Sequence, residues 1–142
     1  MKLQIITPVR IVTDTEIVSV TLPTDMGLVT ILPRHQTLLT QLQEGIITYR
    51  SGDDSVDVAI GGGYAQTDGK TVRVLVSRAY GQDEINEKLT EEALANAQKI
   101  LAESSDHSER AEAKTVLRRS IIDSKLIRRK RTSVSRHQSH TH

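Results

Sequence analysis

The sequence contains no cysteine, phenylalanine or tryptophan, and only three tyrosines and three prolines. Without cysteine, the chain cannot form a disulfide, a thiolate nucleophile or a cysteine-ligated zinc site. With so few aromatic rings it has little capacity to stack on nucleobases or sugars. Its apolar runs are only a few residues long, far short of the roughly 20 residues that span a bilayer. No signal peptide is predicted in the segment that follows Lys2.

Charged residues are distributed unevenly along the chain. Residues 1–117 carry 11 Lys and Arg and 17 Asp and Glu, a net charge of −6, whereas residues 118–142 carry 8 Lys and Arg and one acid, a net charge of +7. A basic segment on an acidic body predicts a partner that is an acidic protein surface, a nucleic acid or an anionic membrane. Docking onto an acidic protein fits at least as well as nucleic-acid binding, because the body is acidic and poor in aromatic residues.

The first 80 residues have the pattern of an all-β domain. Short β-branched runs alternate with turn signals, among them Ser51–Asp54 and Asp68-Gly69. Pro23 is predicted to end the third run. So many strands in so short a segment leave no room for helical crossovers, so a mostly antiparallel β-sandwich is predicted. The predicted strands span residues 3–6, 9–13, 17–22, 27–32, 46–49, 56–60, 64–67 and 71–76.

After Gly81 the apolar residues change to a helical spacing. A first helix is predicted up to a polar break at residues 103–107, and a second from about Ser108 to Lys130 with Asp106 as its N-cap. Two helices joined by so short a break form an antiparallel hairpin when both stripes are buried. The predicted buried stripes are Ile85, Leu89, Ala93, Ala97, Ile100 and Leu101 in the first helix, and Ala113, Leu117, Ile121 and Leu126 in the second, with Val116 and Ile122 beside them.

No group of residues predicts a catalytic site, a metal site or a bound cofactor. Gly61-Gly62-Gly63 lies between two strands and lacks the Lys of a phosphate loop, so it is interpreted as a bulge or a tight turn that needs a positive φ or a close backbone approach. His35 has no nucleophile or second ligand nearby in sequence, which favours a role in loop ordering or at an interface. Two remaining groups are interpreted as a solvated turn and a polar tail. They are Asp53, Asp54 and Asp57, and His137, His140 and His142.

The motif residues of the chain resemble the epsilon subunit of F-type ATP synthases, the counterpart of the mitochondrial delta subunit. The resemblance covers about residues 1–130, and it rests on the spacing of glycine, proline, histidine and leucine and on the order of a β-sandwich followed by a helical hairpin. The positions that carry it are Thr7, Pro8, Pro23, Gly27, Ile31 to His35, Leu38, Leu39, Leu42, Gly45, Gly61 to Gly63, Val72 to Val76 and Gly81 to Asp83.

The resemblance implies a non-catalytic rotor subunit of a proton-translocating ATP synthase. Residues 1–82 would bind the gamma subunit and the ring of c subunits. Residues 83–131 would regulate ATP hydrolysis by extending along gamma into the alpha/beta catalytic head, and residues 132–142 would be a disordered polar tail. Such a subunit binds no nucleic acid, and it lies peripherally at the cytoplasmic face of the cell membrane, held there through the complex only.

The resemblance also assigns two sets of partner-binding residues by motif. The first set would form the contact with the c ring. The second set would form an inhibitory basic face that meets an acidic surface of the beta subunits. The two sets are Leu28, Val29, Thr30, Ile31 and His35, and Arg118, Arg119, Lys125, Arg128 and Arg129.

The chain departs from the family pattern at several positions. Leu28 stands where the family often has an acidic residue, and Thr30 where a second glycine is common. Bacterial members that bind ATP carry Ile/Leu-Asp-x-x-Arg-Ala at the start of the first helix. In this chain Asn86, Leu89 and Thr90 replace the Asp, Arg and Ala of that motif. Because both charged members are absent, weak or no ATP binding is predicted.

Two other functions are compatible with the sequence. A nucleic-acid-binding module would use the basic segment 118–142, and its affinity would fall steeply with salt. A small enzyme is the third reading, and no nucleophile–base pair, carboxylate pair or metal constellation supports it.

Overall fold

The computed structural model describes the backbone of residues 1–139 and the side chains of residues 1–129. It has two compact units, the first spanning Met1–Gly81 and the second beginning at Gln82. The first unit contains ten strands, and the second contains a 3-10 turn (Gln82–Glu84) and two helices. The strands are β1 (Lys2–Ile6), β2 (Ile11–Glu16), β3 (Ser19–Thr24), β4 (Gly27–Ile31), β5 (Leu38–Leu42), β6 (Gly45–Ser51), β7 (Asp54–Ile60), β8 (Gly63–Thr67), β9 (Thr71–Val76) and β10 (Ala79–Gly81), and the helices are α1 (Glu87–Glu103) and α2 (His107–Ser139).

The ten strands form one hydrogen-bonded sheet folded as a β-sandwich, which confirms the predicted fold. The order is β10-β7-β6-β3-β5-β8-β9-β1-β2, with β4 paired to β3. All pairings are antiparallel except that of β1 with β9. β3 meets β5 only at Thr24 and Leu42, so a single residue pair joins the two halves of the sheet.

The core of the sandwich is aliphatic, as the shortage of aromatic residues requires. Along β9 the buried residues Val72, Val74 and Val76 alternate with outward-facing neighbours, the period of a strand with one buried face. Leu3 and Ile5 of β1 are fully buried beside them. Burying each such side chain contributes roughly 1.5–3 kcal/mol to the stability of the unit.

Three details of the sandwich differ from the predicted strands. The β5 and β10 strands were not predicted, because β5 mixes Leu with Thr and Gln and β10 has only three residues, so pairing with β8 and β7 rather than local propensity defines them. Pro23 lies inside β3 instead of ending it. The ring nitrogen of Pro23 donates nothing, but its carbonyl still accepts a hydrogen bond from the Gln43 amide at 3.0 Å.

The glycine triplet marks a close backbone approach. A Cβ placed on Gly63 would lie 2.0 Å from the carbonyl oxygen of Leu75, and one on Gly61 would lie 2.3 Å from Oγ of Ser77. None of the three glycines has a positive φ. Close strand packing therefore explains Gly63, whereas a Cβ on Gly62 would meet nothing closer than the Leu42 carbonyl oxygen at 3.6 Å. The triplet forms neither a phosphate loop nor a left-handed turn.

The second unit is an antiparallel hairpin of α1 and α2, as predicted, but α2 is longer than expected. It runs to Ser139, past the predicted end near Lys130, because no Gly or Pro occurs after Gly81 to stop it. Residues 132–139 of the predicted disordered tail are thus helical, and residues 140–142 lie outside the described part of the chain. Among the described residues, no helix is long and apolar enough to cross a membrane.

The buried positions of the hairpin are mostly small. They include Thr90 and Ala97 in α1 and Ala113 and Ser120 in α2. Leu89 was predicted to be buried but is exposed. The buried stripe at the start of α1 passes instead through Thr90, the next residue. Two other residues of the predicted α2 stripe or its margin, Val116 and Ile121, are also exposed, whereas Ala113 and Leu126 are buried as predicted.

Candidate partner-binding surfaces

The turn between β3 and β4 presents two apolar side chains. The hydroxyl of Thr24 donates to the Gly27 carbonyl at 2.6 Å and accepts from the Met26 amide at 3.2 Å. Gly27 has φ +107°, a conformation that favours glycine. This rigid turn leaves Met26 92% and Leu28 73% exposed beside the exposed Asp25. These three residues are called the β3–β4 tip: an apolar surface with one acid.

The other residues assigned to the ring contact differ in their accessibility. Thr30 is exposed, and its hydroxyl lies 2.9 Å from that of Thr21 on the neighbouring strand. Val29 is half-buried against the core, and Ile31 is 1% exposed within it. The side chain of Ile31 therefore cannot touch a partner, because strand alternation points it inward. Leu28 and Thr30 share the outward face of β4.

His35 lies in a loop that is tied to the turn between β8 and β9. The amide of Arg34, at φ 68°, donates to the Gly69 carbonyl at 3.1 Å, and Nδ1 of His35 lies 2.8 Å from the Gln36 carbonyl. The carboxylate of Asp68 accepts from the amides of Thr71 and Lys70, and these backbone hydrogen bonds hold the pKa of Asp68 below its ordinary value. These contacts tie the loop to the turn between β8 and β9, and the interface role of His35 stays a prediction.

An exposed apolar row crosses the outer face of β2, β1, β9, β8 and β5. Ile6 lies opposite Ile11 on one side and opposite Leu75 on the other, and Leu75 lies opposite Tyr64. Leu39 is a diagonal neighbour of Tyr64, since its own partner is Gln66. Ile6 is half-buried, and the other four side chains are 49–71% exposed. The apolar row is Ile6, Ile11, Leu39, Tyr64 and Leu75.

This apolar row has the composition of an interface. Residues opposite each other on a sheet face have Cβ atoms about 4.5–5.5 Å apart, so the row is contiguous. Contiguous exposed apolar patches on soluble proteins mark interaction sites. The next row on the same face is polar, with Gln4 opposite Asp14 and Arg73, and Arg73 opposite Gln66. A polar rim beside an apolar centre is the usual arrangement of a protein–protein interface.

Sequence reasoning did not find the apolar row. Leu75 lies in the continuous apolar run Val74 to Val76, and Ile6 follows Ile5, so the pattern does not tell which side chain faces inward. The available signal was the pairing register: once Val74 is buried, Leu75 and its cross-strand neighbours must face out.

The five basic residues assigned to α2 are all exposed, but they do not form one face. At about 100° per residue, four of them lie within an arc of about 100°, and Arg119 lies about 80° beyond it. Arg128 and Arg129 already have an interaction partner in this structure. The four that share a face are called the basic stripe: Arg118, Lys125, Arg128 and Arg129.

The residues at the degenerate nucleotide motif form a helix cap. The side-chain oxygen of Asn86 accepts from the Leu89 amide at 3.1 Å and so caps α1. Thr90 is buried, and its hydroxyl donates to the Asn86 carbonyl at 2.9 Å. The side chains of Asn86 and Thr90 are therefore hydrogen-bonded within the first turn of α1. The exposed Leu89 occupies the position of the motif arginine.

Replacing Asn86 by alanine should destabilise the hairpin by about 1 kcal/mol, because an amide of the first turn loses its acceptor. Thermal unfolding followed by helical circular dichroism would measure this. Asn86→Asp is the matched control, since a carboxylate caps equally well and also favours the positive end of the helix dipole. Equal stability of the alanine and aspartate variants would contradict the capping role.

Within the part of the chain whose side chains are described, no three His, Asp or Glu residues are placed to hold a metal ion.

Comparison with known proteins identifies relatives along most of the chain. The family described as ATP synthase, Delta/Epsilon chain, beta-sandwich domain matches residues 1–82. The ATP synthase epsilon chain of Herpetosiphon aurantiacus is 34% identical over 122 residues, which cover 86% of this chain and 90% of that protein. The chloroplastic ATP synthase epsilon chain of Anthoceros angustus is 34% identical over 119 residues, covering 84% of this chain and 86% of that protein.

Solved structures share the fold. A chain in the cryo-EM structure of Euglena gracilis mitochondrial ATP synthase (OSCP/F1/c-ring) has a TM-score of 0.72 at 22% identity, covering 81% of this chain and 73% of that chain. A chain in the central stalk and c-ring of Tetrahymena thermophila mitochondrial ATP synthase has a TM-score of 0.60 at 14% identity, covering 89% and 95%.

Proposed function

Because the chain belongs to the ATP synthase delta/epsilon family, as an epsilon chain, we propose that it couples rotation of the c ring to the catalytic head through the gamma subunit and restrains ATP hydrolysis through α1 and α2. In this role it has no active site of its own. It lies peripherally at the cytoplasmic face of the membrane through its complex, which carries out proton transport. The nucleic-acid alternative has no support beyond the positive charge of α2.

The exposed apolar row is the observation that carries the proposed contact with gamma. Five apolar side chains on one sheet face lose their exposure to water when a partner covers them, and burial of apolar surface contributes roughly 25 cal/mol per Å². Tyr64 lies within the row, between Leu75 and Leu39, and tyrosine is a common anchor of protein interfaces. Gamma is therefore proposed to dock on the apolar row.

The β3–β4 tip is the surface proposed to meet the c ring. Met26 and Leu28 supply apolar contact, and Asp25 supplies the acid that the family often has at the position of Leu28. Thr30 extends this surface along β4. Ile31 is removed from the assigned ring contact because it is buried, and His35 is kept as part of a neighbouring loop.

The basic stripe of α2 is the surface proposed to contact an acidic region of the beta subunits. Each exposed charge contributes little by itself, about 0–1 kcal/mol. Four charges on one helix face act together on the same acidic surface, and they also accelerate association. The proposed inhibition should therefore weaken as salt rises, because exposed charges are screened over about 8 Å at physiological ionic strength.

The gamma contact can be tested by substitution within the apolar row. Tyr64→Asp is expected to weaken binding to isolated gamma at least tenfold, about 1.4 kcal/mol, since a carboxylate would be buried within the contact. Gln66→Asp, two residues along the same strand face in the polar row, introduces the same charge and should change the affinity less than about threefold. Binding is measured by surface plasmon resonance with the full chain.

Three outcomes would argue against parts of this proposal. Equal loss in both variants would indicate that charge and not the apolar row determines binding. Wild-type affinity in Tyr64→Asp would place gamma elsewhere on the chain. If the wild-type chain itself did not bind gamma, the proposed coupling function would be contradicted.

A further inference from the structure

A hydrogen-bonded network joins the end of α1 to the start of α2. The Ser104 hydroxyl donates to Oε2 of Glu109 at 2.9 Å and accepts from the Asp106 amide at 3.2 Å. The half-buried Arg110 donates from Nη1 to the carbonyls of Leu101 and Ser104. The network is called the turn clasp and consists of Ser104, Glu109 and Arg110.

The clasp joins groups that favour each other electrostatically. The last carbonyls of α1 have no helical partner and form the negative end of its dipole, so the guanidinium of Arg110 both satisfies and neutralises them. Glu109 lies in the first turn of α2, at the positive end of that dipole. Each helix end thus holds a charge of the favourable sign.

The contact between Arg110 and Leu101 exists only while the hairpin is closed. The two residues are nine positions apart. If α1 and α2 separated into one extended helix, nine residues would span about 13.5 Å, too far for the side chain to reach the carbonyl. Opening the hairpin into one continuous helix must therefore break the contact between Arg110 and Leu101.

The rest of the hairpin interface offers limited apolar area. Among the described side chains of α1 and α2, Leu126 is the one large aliphatic residue that is fully buried, and the other buried residues are small: Thr90, Ala97, Ala113 and Ser120. The area that these small residues remove from water is correspondingly modest. Hydrogen bonds to charged groups contribute more than neutral ones. The clasp is thus a substantial part of what distinguishes the closed hairpin from separated helices.

We propose that the turn clasp is a conformational latch, in which Arg110 holds α1 and α2 together and so sets the fraction of chains whose helices can extend into the inhibitory form. The latch rests on the regulatory role of the hairpin proposed above. Arg110 acts as a positioning residue, since its own contacts are with α1 and the turn.

The latch can be tested by a distance measurement that does not depend on ATPase activity. The chain has no cysteine, so Asn96→Cys and Lys114→Cys, two exposed positions on different helices, can carry spin labels alone. Pulsed electron paramagnetic resonance then measures the distance between the two labels, and so the separation of α1 and α2, in the full chain. Inhibition is measured in parallel with a catalytic head that lacks its own epsilon subunit.

Arg110→Ala is expected to add a population at longer label distance and to lower the half-inhibitory concentration about tenfold, the shift that corresponds to 1.4 kcal/mol. Arg110→Lys should stay closer to the wild type, because an ammonium can still reach one carbonyl. Ser104→Ala, which removes only the hydroxyl, should change both readouts in the same direction by a smaller factor. It serves as the second variant if Arg110→Ala loses helical circular dichroism.

The outcomes separate the latch from the function on which it rests. Unchanged label distances in both Arg110→Ala and Ser104→Ala overturn the latch, whatever the ATPase activity. Longer distances with unchanged inhibition support the clasp as the closing device and overturn the regulatory role of the hairpin. Longer distances with stronger inhibition support both.

Discussion

Replacing Gly63 with alanine is expected to destabilise the sandwich strongly. The added Cβ would lie 2.0 Å from the Leu75 carbonyl oxygen and 2.8 Å from the Cα of Val76. Both are backbone atoms of the paired strand β9, so no side chain can rotate away. Relief requires β8 and β9 to separate, although β9 carries the buried core residues Val72 and Val74.

The cost of this substitution should be at least about 3 kcal/mol, the upper part of the usual range for overpacking. That is a large share of the roughly 5–15 kcal/mol by which whole domains are stable. Urea unfolding followed by far-ultraviolet circular dichroism would measure it. Gly62→Ala is the matched control, because its Cβ would meet nothing closer than the Leu42 carbonyl at 3.6 Å. Equal midpoints for the two variants would contradict the close-approach interpretation.

The glycine triplet illustrates what the sequence could and could not predict. Its position between two strands was enough to reject a phosphate loop, because no helix and no Lys follow it. Which of the three glycines is indispensable depends on the distance to a strand about a dozen residues away. Such a distance is set by tertiary pairing, so only the structure distinguishes Gly63 from Gly62.

The strand pattern was predictable where apolar and polar residues alternate, and ambiguous where they do not. In β9 the sequence marked a strand correctly, yet it could not tell that Leu75 faces out, and so it missed the apolar row. The same ambiguity applies to Ile31, which motif matching placed at a partner contact although strand alternation buries it. Motif matching transfers a segment, whereas exposure is decided residue by residue.

In the helices, the regular spacing of the apolar residues was easier to recognise than which face of the helix is buried. A stripe through Leu89 and one through Thr90 differ by only 100° around α1, and the choice between them depends on how α2 packs. Because the interface accepts small residues, the threonine is buried and the leucine is exposed. The basic residues of α2 were assigned by the family resemblance, which did not show that Arg119, about 80° beyond the arc of the other four, lies off their shared face.

Reversing two charges of the basic stripe is the second change with a large expected effect. Arg118→Glu/Lys125→Glu should raise the half-inhibitory concentration of the full chain by at least about 30-fold, roughly 2 kcal/mol, because two attractions become repulsions against one acidic surface. The loss should be largest at low salt and shrink as salt rises. The measurement is ATP hydrolysis by a catalytic head without its own epsilon subunit, titrated at two salt concentrations.

The position of Arg119 provides a control matched in net charge. Arg119→Glu/Lys99→Glu also reverses two exposed basic residues, one of them on α2, but both lie off the basic stripe. It should change inhibition less than about threefold, the range that weak exposed charges allow. If both double variants lost inhibition equally, net charge and not the stripe would determine it. If neither lost inhibition, α2 would not act through an acidic surface, and any restraint of the motor would have to come from the bulk of the extended helices alone.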